Sequence, residues 1–167
     1  MSSQPAREQM SESGAAATPP ARVNAGQRLA NYVVRGLLRT PLLCRAMGSR
    51  LVTLYIVGRK SGRRYAIPVA CTRQGGDLLV GTPFGWGRNL RTGEPVEIRL
   101  KGRRRQADVL AFADEPGVTG LYETMCRDNR TFAKFNHVGF DAAGAPLPQD
   151  LHQAWLAGAR AFRLTPR

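Results

Sequence analysis

Two hydrophobic periods divide the chain. Between Asn24 and Pro41, Leu29, Val33, Gly36 and Leu37 recur at helical spacing with Arg28, Arg35 and Arg39 on the other face. This predicts a short basic amphipathic helix, capped by Asn24 and ended by Pro41. From Leu51 the period shortens. Leu51 to Val57 and Tyr65 to Arg73 are rich in β-branched and aromatic residues and flank Gly58-Arg-Lys-Ser-Gly62, which has the composition of a hairpin loop. Gln74-Gly-Gly-Asp77 is a second turn, leading into a strand from Leu78 to Thr82. Val96, Ile98 and Leu100 then alternate with Glu97, Arg99 and Lys101, and Lys101-Gly-Arg-Arg104 turns into a strand from Arg105 to Phe112. Five strands at hairpin spacing in about 60 residues leave no room for crossover helices, so the pattern predicts an antiparallel sheet that closes as a barrel.

Beyond Phe112 the helical period returns. Asp114 precedes Pro116, and Val118, Leu121, Tyr122 and Met125 fall at i, i+3, i+4 and i+7, the stripe of a helix lying on the barrel. Leu151 to Ala157 predicts another short helix. Arg160 to Thr165, with Ala161, Arg163 and Thr165 set against Phe162 and Leu164, predicts a last strand. Residues 1–22 are rich in Ser, Ala, Pro and Glu, with almost no large apolar side chain to offset the entropy of ordering them. The expected organisation is a disordered tail over 1–22 and a single domain over 23–167, mainly β with flanking helices.

Charge changes this picture. The formal net charge is +13, and between residues 50 and 105 there are 13 Lys or Arg against Asp77, Glu94 and Glu97, a net +10 on the expected strands and turns. Such a concentration favours an anionic partner. Arg outnumbers Lys 22 to 3 in an Ala- and Gly-rich chain, so isolated arginines also reflect base composition; the bunching at two tight turns does not. Cys44, Cys71 and Cys126 are odd in number and widely spaced, which argues against a disulfide framework or a C-x-x-C site and for a reducing cytoplasm. His137 and His152 lack the spacing and neighbours of a metal site. No apolar run reaches the roughly 20 residues of a membrane span, and Met1 to Ala17 lacks the order of a secretion signal. The amphipathic helix at 28–39 suits packing on the barrel in the first place, and contact with an anionic membrane surface in the second.

Two elements carry candidate chemistry. In Gly58-Arg59-Lys60-Ser61-Gly62, continued by Arg63 and Arg64, two glycines allow a tight turn with exposed N–H groups, while Arg, Lys and Ser supply donors for phosphate or carboxylate oxygens. The same residues also suit an ordinary solvated hairpin. Arg59 stands where a Walker A loop needs Gly, which removes support for nucleotide hydrolysis. In Gly81-Thr-Pro-Phe-Gly-Trp-Gly-Arg-Asn-Leu90, Phe84 and Trp86 are followed by Arg88 and Asn89 on an expected short helix, a set that suits a planar anionic ligand. Trp86 as a plug in the core is the commoner alternative. Gly85-x-Gly87 lacks the third glycine and the βαβ setting of a dinucleotide fingerprint.

Taken together, Thr53-Leu-Tyr-Ile-Val-Gly-Arg-Lys-Ser-Gly-Arg-Arg-Tyr-Ala-Ile-Pro-Val69, Trp86 to Leu90 and the Val96 to Leu100 strand resemble the deazaflavin-dependent nitroreductase family over about residues 27–112. The Asn136 to Asp141 region also resembles some members. The resemblance implies a split antiparallel β-barrel of the flavin reductase type and an F420-dependent oxidoreductase that passes hydride to a quinone, enone or nitro compound. It further implies that Arg59, Lys60, Ser61 and Arg64 hold the cofactor's phosphate and acidic tail. Pro68 and Val69 would lie along the deazaflavin ring, and Thr82, Trp86, Arg88 and Asn89 would close its other side. Two features depart from the family: the loop after Leu78 to Thr82 is shorter, and Ala70 replaces a ring-side aromatic. Tyr122, Tyr65 and His137 are the candidate proton donors, none with a signal that singles it out as catalytic.

FMN or haem in the same barrel is the first rival, since a fold does not choose its cofactor. The second is a non-enzymatic basic module that binds nucleic acid or anionic membrane through Arg99 to Arg105 and the Arg28 to Arg39 helix. Phe84 and Trp86 share one loop and are not spread along strands as a platform for bases, so no specific nucleic-acid partner is expected. Split barrels of this type are often homodimers, although the chain carries no clear interface signature.

Overall fold

The computed structural model describes residues 50–167. The expected tail over 1–22, the helix from Asn24 to Pro41 with its membrane contact, and Cys44 lie outside the described residues. Seven strands form one antiparallel sheet: β1 (Leu51–Val57), β2 (Arg64–Ala70), β3 (Thr72–Gln74), β4 (Asp77–Thr82), β5 (Val96–Leu100), β6 (Arg103–Phe112) and β7 (Arg160–Pro166). Their spatial order is β2-β1-β5-β6-β7-β4-β3. The two outer strands are β2 and β3, yet only Cys71 separates them in the chain. A single residue spans under 4 Å of backbone per step, so the sheet must curl until its edges meet at this corner. The result is a split barrel, joined covalently at Cys71 and open along the rest of the seam.

The corner corrects the expectation of one strand from Tyr65 to Arg73. Cys71 donates its N–H to the Arg50 carbonyl at 2.8 Å, ending the ladder with β1, after which Thr72 starts pairing with Leu79 on β4. Cys71 and Thr72 are both buried there. Pro68 is accommodated because β2 is an outer strand, where a missing N–H is tolerated.

Alternation places the core. Val52, Leu54 and Ile56 of β1, Val96 and Ile98 of β5, Ala107 and Val109 of β6, Phe162 and Leu164 of β7, and Leu78 and Val80 of β4 fill the barrel. Leu79 and Ala161 point the other way and are buried beneath three helices, so β4 and β7 are covered on both faces. Full burial of each large apolar side chain contributes roughly 1.5–3 kcal/mol.

Helix α1 (Glu115–Asp128) starts where expected: the Asp114 carboxylate accepts the Gly117 N–H at 3.0 Å, and Val118, Leu121, Tyr122, Met125 and Cys126 form its buried stripe. Its C-terminus is tied to the barrel corner. Asp128 accepts from Thr72 Oγ1 at 2.9 Å and pairs with Arg50 at 3.3 Å. A six-residue helix, α2 (Arg130–Phe135), follows unforeseen; it is too short to show a period, but Asn129 caps it by accepting from the N–H groups of Thr131 and Phe132. Helix α3 (Pro148–Leu156) begins three residues before the expected Leu151, with Pro148 in its first turn, where a missing N–H costs nothing. Strand β6 begins at Arg103, two residues earlier than expected, because Lys101 and Gly102 alone make the turn. Among the described residues no helix is long and apolar enough to cross a membrane.

Candidate functional site

The Gly58–Gly62 hairpin is closed by its own backbone. Gly58 N–H donates to the Arg63 carbonyl at 2.8 Å, and the Gly58 carbonyl accepts from Gly62 N–H at 2.7 Å and from Ser61 N–H at 3.2 Å. Both glycines are required: Gly62 has φ +63°, and a Cβ on Gly58 would lie 2.7 Å from Ser61 Oγ and 2.9 Å from the Tyr65 ring. Arg63 N–H donates to Ser61 Oγ and Arg59 N–H to Asn89 Oδ1, both at 3.3 Å. This corrects the expectation of a loop with exposed N–H groups. Apart from Lys60, each of these amides already has an acceptor, so an anion here must be held by side chains.

Opposite the hairpin, Gly85–Asn89 forms a single 3-10 turn. Thr82 sets its geometry: its buried Oγ1 accepts from Phe84 N–H at 3.1 Å, and its methyl lies 2.7 Å from where a Gly87 Cβ would be, which is why position 87 excludes a side chain. Asn89 joins the two elements. Its amide donates to the Trp86 carbonyl at 3.0 Å while its oxygen holds Arg59 N–H, and the Arg59 guanidinium comes within 3.5 Å of the Arg88 carbonyl.

Between the hairpin and the 3-10 turn lies a cleft of about 640 Å³ lined by Arg59, Lys60, Ser61, Tyr65, Trp86, Arg88 and Asn89. Trp86 is half-buried against the barrel core and Tyr65 is 45% exposed, its hydroxyl 3.3 Å from Ser61 Oγ. Among the described residues, Arg59, Lys60 and Arg88 have no carboxylate partner. The cleft therefore presents three uncompensated cations, two hydroxyls and two aromatic rings.

Strand parity separates the remaining candidates. Tyr65, Ile67 and Val69 share the barrel-facing phase of β2, and Arg64, Ala66 and Pro68 the outer one. Arg64 accordingly sits in a neighbouring hollow of about 510 Å³, on the far side of Arg59 and Asn89. There Glu97, whose side chain is 19% exposed, pairs with Arg64 at 3.1 Å and with Arg104 at 2.9 Å, and the Arg104 guanidinium lies 4.6 Å from the Tyr55 ring centre. Two guanidinium groups share one carboxylate here, and sequence reasoning missed the cluster; the signal was Glu97, an acid in the polar phase of a strand otherwise carrying cations. Pro68 and Val69 are half-buried, roughly 13 and 17 Å along β2 from Arg64 at 3.3 Å per residue, and line neither hollow.

The candidate proton donors also separate. Tyr122 is buried on the inner face of α1, in edge contact with Phe132 at 5.2 Å, and its hydroxyl has no partner among the described residues. Burial pushes its phenol well above the usual range, with a smaller contribution from Cys126. His137 is exposed at the end of α2 with φ +58°. Only Tyr65 borders the cleft. Among the described residues no group of three or more His, Cys, Asp or Glu is placed to hold a metal.

No known family's sequence profile matches the chain, and no curated protein matches it either. A solved structure, an FAD-binding protein from Mesorhizobium loti, is similar over 77% of this chain and 90% of that one, with 15% sequence identity and a TM-score of 0.44.

Proposed function

We propose that this protein is an F420-dependent oxidoreductase that reduces a small hydrophobic acceptor, a quinone, enone or nitro compound, with the cleft between the Gly58–Gly62 hairpin and the 3-10 turn holding the cofactor's anionic part. One observation carries the proposal: Arg59, Lys60 and Arg88, without carboxylate partners among the described residues, converge with Ser61, Trp86 and Tyr65 on one cleft of about 640 Å³. Guanidinium and ammonium groups suit phosphate and carboxylate oxygens, and the two rings offer flat apolar faces.

The donor set fits the tail of such a cofactor. The ring would lie farther along β2, against half-buried Val69, which shares the face of Tyr65, with Pro68 on the opposite face of the strand. When bound, a deazaflavin supplies two-electron hydride chemistry. The chain's own work is orientation. Arg59 and Lys60 draw the anionic end into the cleft, Asn89 and Thr82 fix the turn that carries Trp86 and Arg88, and Trp86 excludes water from one side. Tyr65, whose hydroxyl shares a hydrogen with Ser61, is the phenol positioned to hold a proton at the cleft.

FMN is the second reading. The pairing of Arg64 with Glu97 leaves three cations in the cleft, and three cations also suit the single phosphate of a flavin mononucleotide. The catalytic reading is tested by mixing the protein with reduced F420 and, separately, reduced FMN, and following cofactor oxidation under nitrogen with menadione, cyclohexenone and a nitroaromatic. Acceptor-dependent oxidation of F420 that Trp86→Ala slows is expected; absence of turnover with every pair would overturn the oxidoreductase reading.

A further inference from the structure

The end of the barrel opposite the Gly58–Gly62 hairpin carries a second concentration of positive charge. There the β5–β6 and β3–β4 hairpins frame a hollow of about 430 Å³ lined by Arg73, Leu100, Lys101, Arg103 and Arg105. Strand phase explains why these side chains meet. Ala107 and Val109 of β6 face the barrel interior, and Arg105 and Arg103 continue that inward phase to the mouth. Arg73 lies directly across from Leu78, another interior residue, and Leu100 continues the phase of Val96 and Ile98. Cations thus occupy positions where the barrel pattern calls for apolar side chains, and half-buried Leu100 borders the hollow they ring.

Two further observations set this mouth apart from an ordinary solvated edge. None of Arg73, Lys101, Arg103 and Arg105 has a carboxylate partner among the described residues, whereas Arg64 and Arg104 on the outer face share Glu97. Lys101 also adopts φ +48° beside Gly102 at φ +80°. This two-residue hairpin demands left-handed backbone, for which Asn-Gly is the favoured pair. A lysine there places a cation at the mouth at a backbone cost.

We propose that this mouth is a second anion site, distinct from the hairpin cleft, and that it binds a ligand bearing two or more linked phosphates. Four cations around one hollow repel one another unless matched, and a single phosphate at neutral pH brings no more than about two negative charges. A diphosphate or triphosphate supplies the remainder, and the planar guanidinium groups of three arginines suit its paired oxygens. The shared chemistry is the linked phosphate, whether free in solution or on an anionic lipid headgroup.

The test uses the full chain and inorganic tripolyphosphate, titrated calorimetrically at constant ionic strength. Saturable binding is expected, weakened by roughly tenfold for each charge-assisted hydrogen bond that Arg103→Gln/Arg105→Gln removes, and retained in the hairpin double variant Arg59→Ala/Lys60→Ala. Lys101→Asn guards against unfolding as an explanation, since Asn suits the turn: it should raise the melting temperature while weakening binding severalfold. Absence of saturable binding, affinity unchanged in both mouth variants, or weakening only in the hairpin variant would overturn the site. Sedimentation with phosphatidylcholine vesicles carrying a prenyl diphosphate then distinguishes the sources. Binding that requires Arg103 and Arg105 and is competed by tripolyphosphate points to a lipid headgroup, and tripolyphosphate binding without it points to a soluble ligand; either supports a linked-phosphate site.

Discussion

Replacing Tyr122 by Phe is expected to stabilise the protein. The side chain is fully buried, packs edge-on to Phe132 at 5.2 Å, and leaves its hydroxyl without a hydrogen-bond partner among the described residues. A buried donor left unmade costs about 1–3 kcal/mol in lost hydration. Removing the oxygen relieves that cost and opens only a small void, worth a few tenths of a kcal/mol at about 24 cal/mol per Å³. The ring's packing on Phe132 and Met125 is unchanged, so the net gain is about 1–2 kcal/mol, or roughly 2–4 °C in Tm per kcal/mol for a chain of this size. Urea denaturation of wild type and variant at pH 7 measures it directly. An unchanged m-value with a higher midpoint is the expected result, and Tyr122→Ala, which removes the ring as well, should lose about 3–5 kcal/mol. A loss of 1 kcal/mol or more in Tyr122→Phe would refute the reasoning, because it would mean that the hydroxyl has a partner.

Gly81 faces the same layer. A Cβ there would lie 2.7 Å from Phe132 Cζ, 2.8 Å from Tyr122 Cε2 and 2.9 Å from Met125 Cε, so Gly81→Ala should cost about 1–3 kcal/mol by thermal melting, and a variant as stable as wild type would contradict the packing. Burial pushes the Cys71 thiol up to about 11 and the Cys126 thiol up to about 12. In the unfolded chain both ionise near pH 8.5, so the unfolded state sheds protons first. Stability should be constant with respect to these groups below that pH and should fall by about 2 kcal/mol per thiol between pH 8.5 and 10. The slope of urea midpoint against pH checks this: Cys71→Ala and Cys126→Ala should each flatten it, and an unchanged slope would show that neither thiol is responsible.

The sequence made the strands and the long helix legible because their signals are local. Alternation at Val96 to Leu100, the Gly-containing hairpin at 58–62 and the stripe from Val118 to Met125 each follow from side-chain periodicity within a few residues. The break at Cys71 was not legible. Tyr65 to Arg73 reads as one run because nothing local marks a corner; the corner exists because the sheet closes, and closure is a property of all seven strands. The unbroken run Leu78-Leu79-Val80 has the same origin, since the barrel core takes two of its residues and the helices take the third.

Candidate residues were recoverable by segment but not by face. The hairpin and the 3-10 turn meet, and Arg59, Lys60, Ser61, Trp86, Arg88 and Asn89 line one cleft. Arg64 belongs by parity to the other side, and its pairing with Glu97 depends on β5 lying two strands away in space and 33 residues away in sequence. Thr82 carries a donor-type signature yet spends its oxygen on the turn itself. The hydrogen bonds within the hairpin, which occupy the amides that composition alone leaves free for a ligand, are set by backbone geometry that residue types do not specify.

Titration of the full chain with F420 and, separately, with FMN, followed by tryptophan quenching in wild type and Lys60→Ala, tests the central claim most directly. Trp86 borders the cleft, so occupancy should quench it. Saturable F420 binding that Lys60→Ala weakens by about tenfold, the value of one charge-assisted hydrogen bond, is the predicted outcome. Saturation by FMN alone would keep the cleft and overturn the choice of cofactor, and no saturable quenching by either would contradict the account.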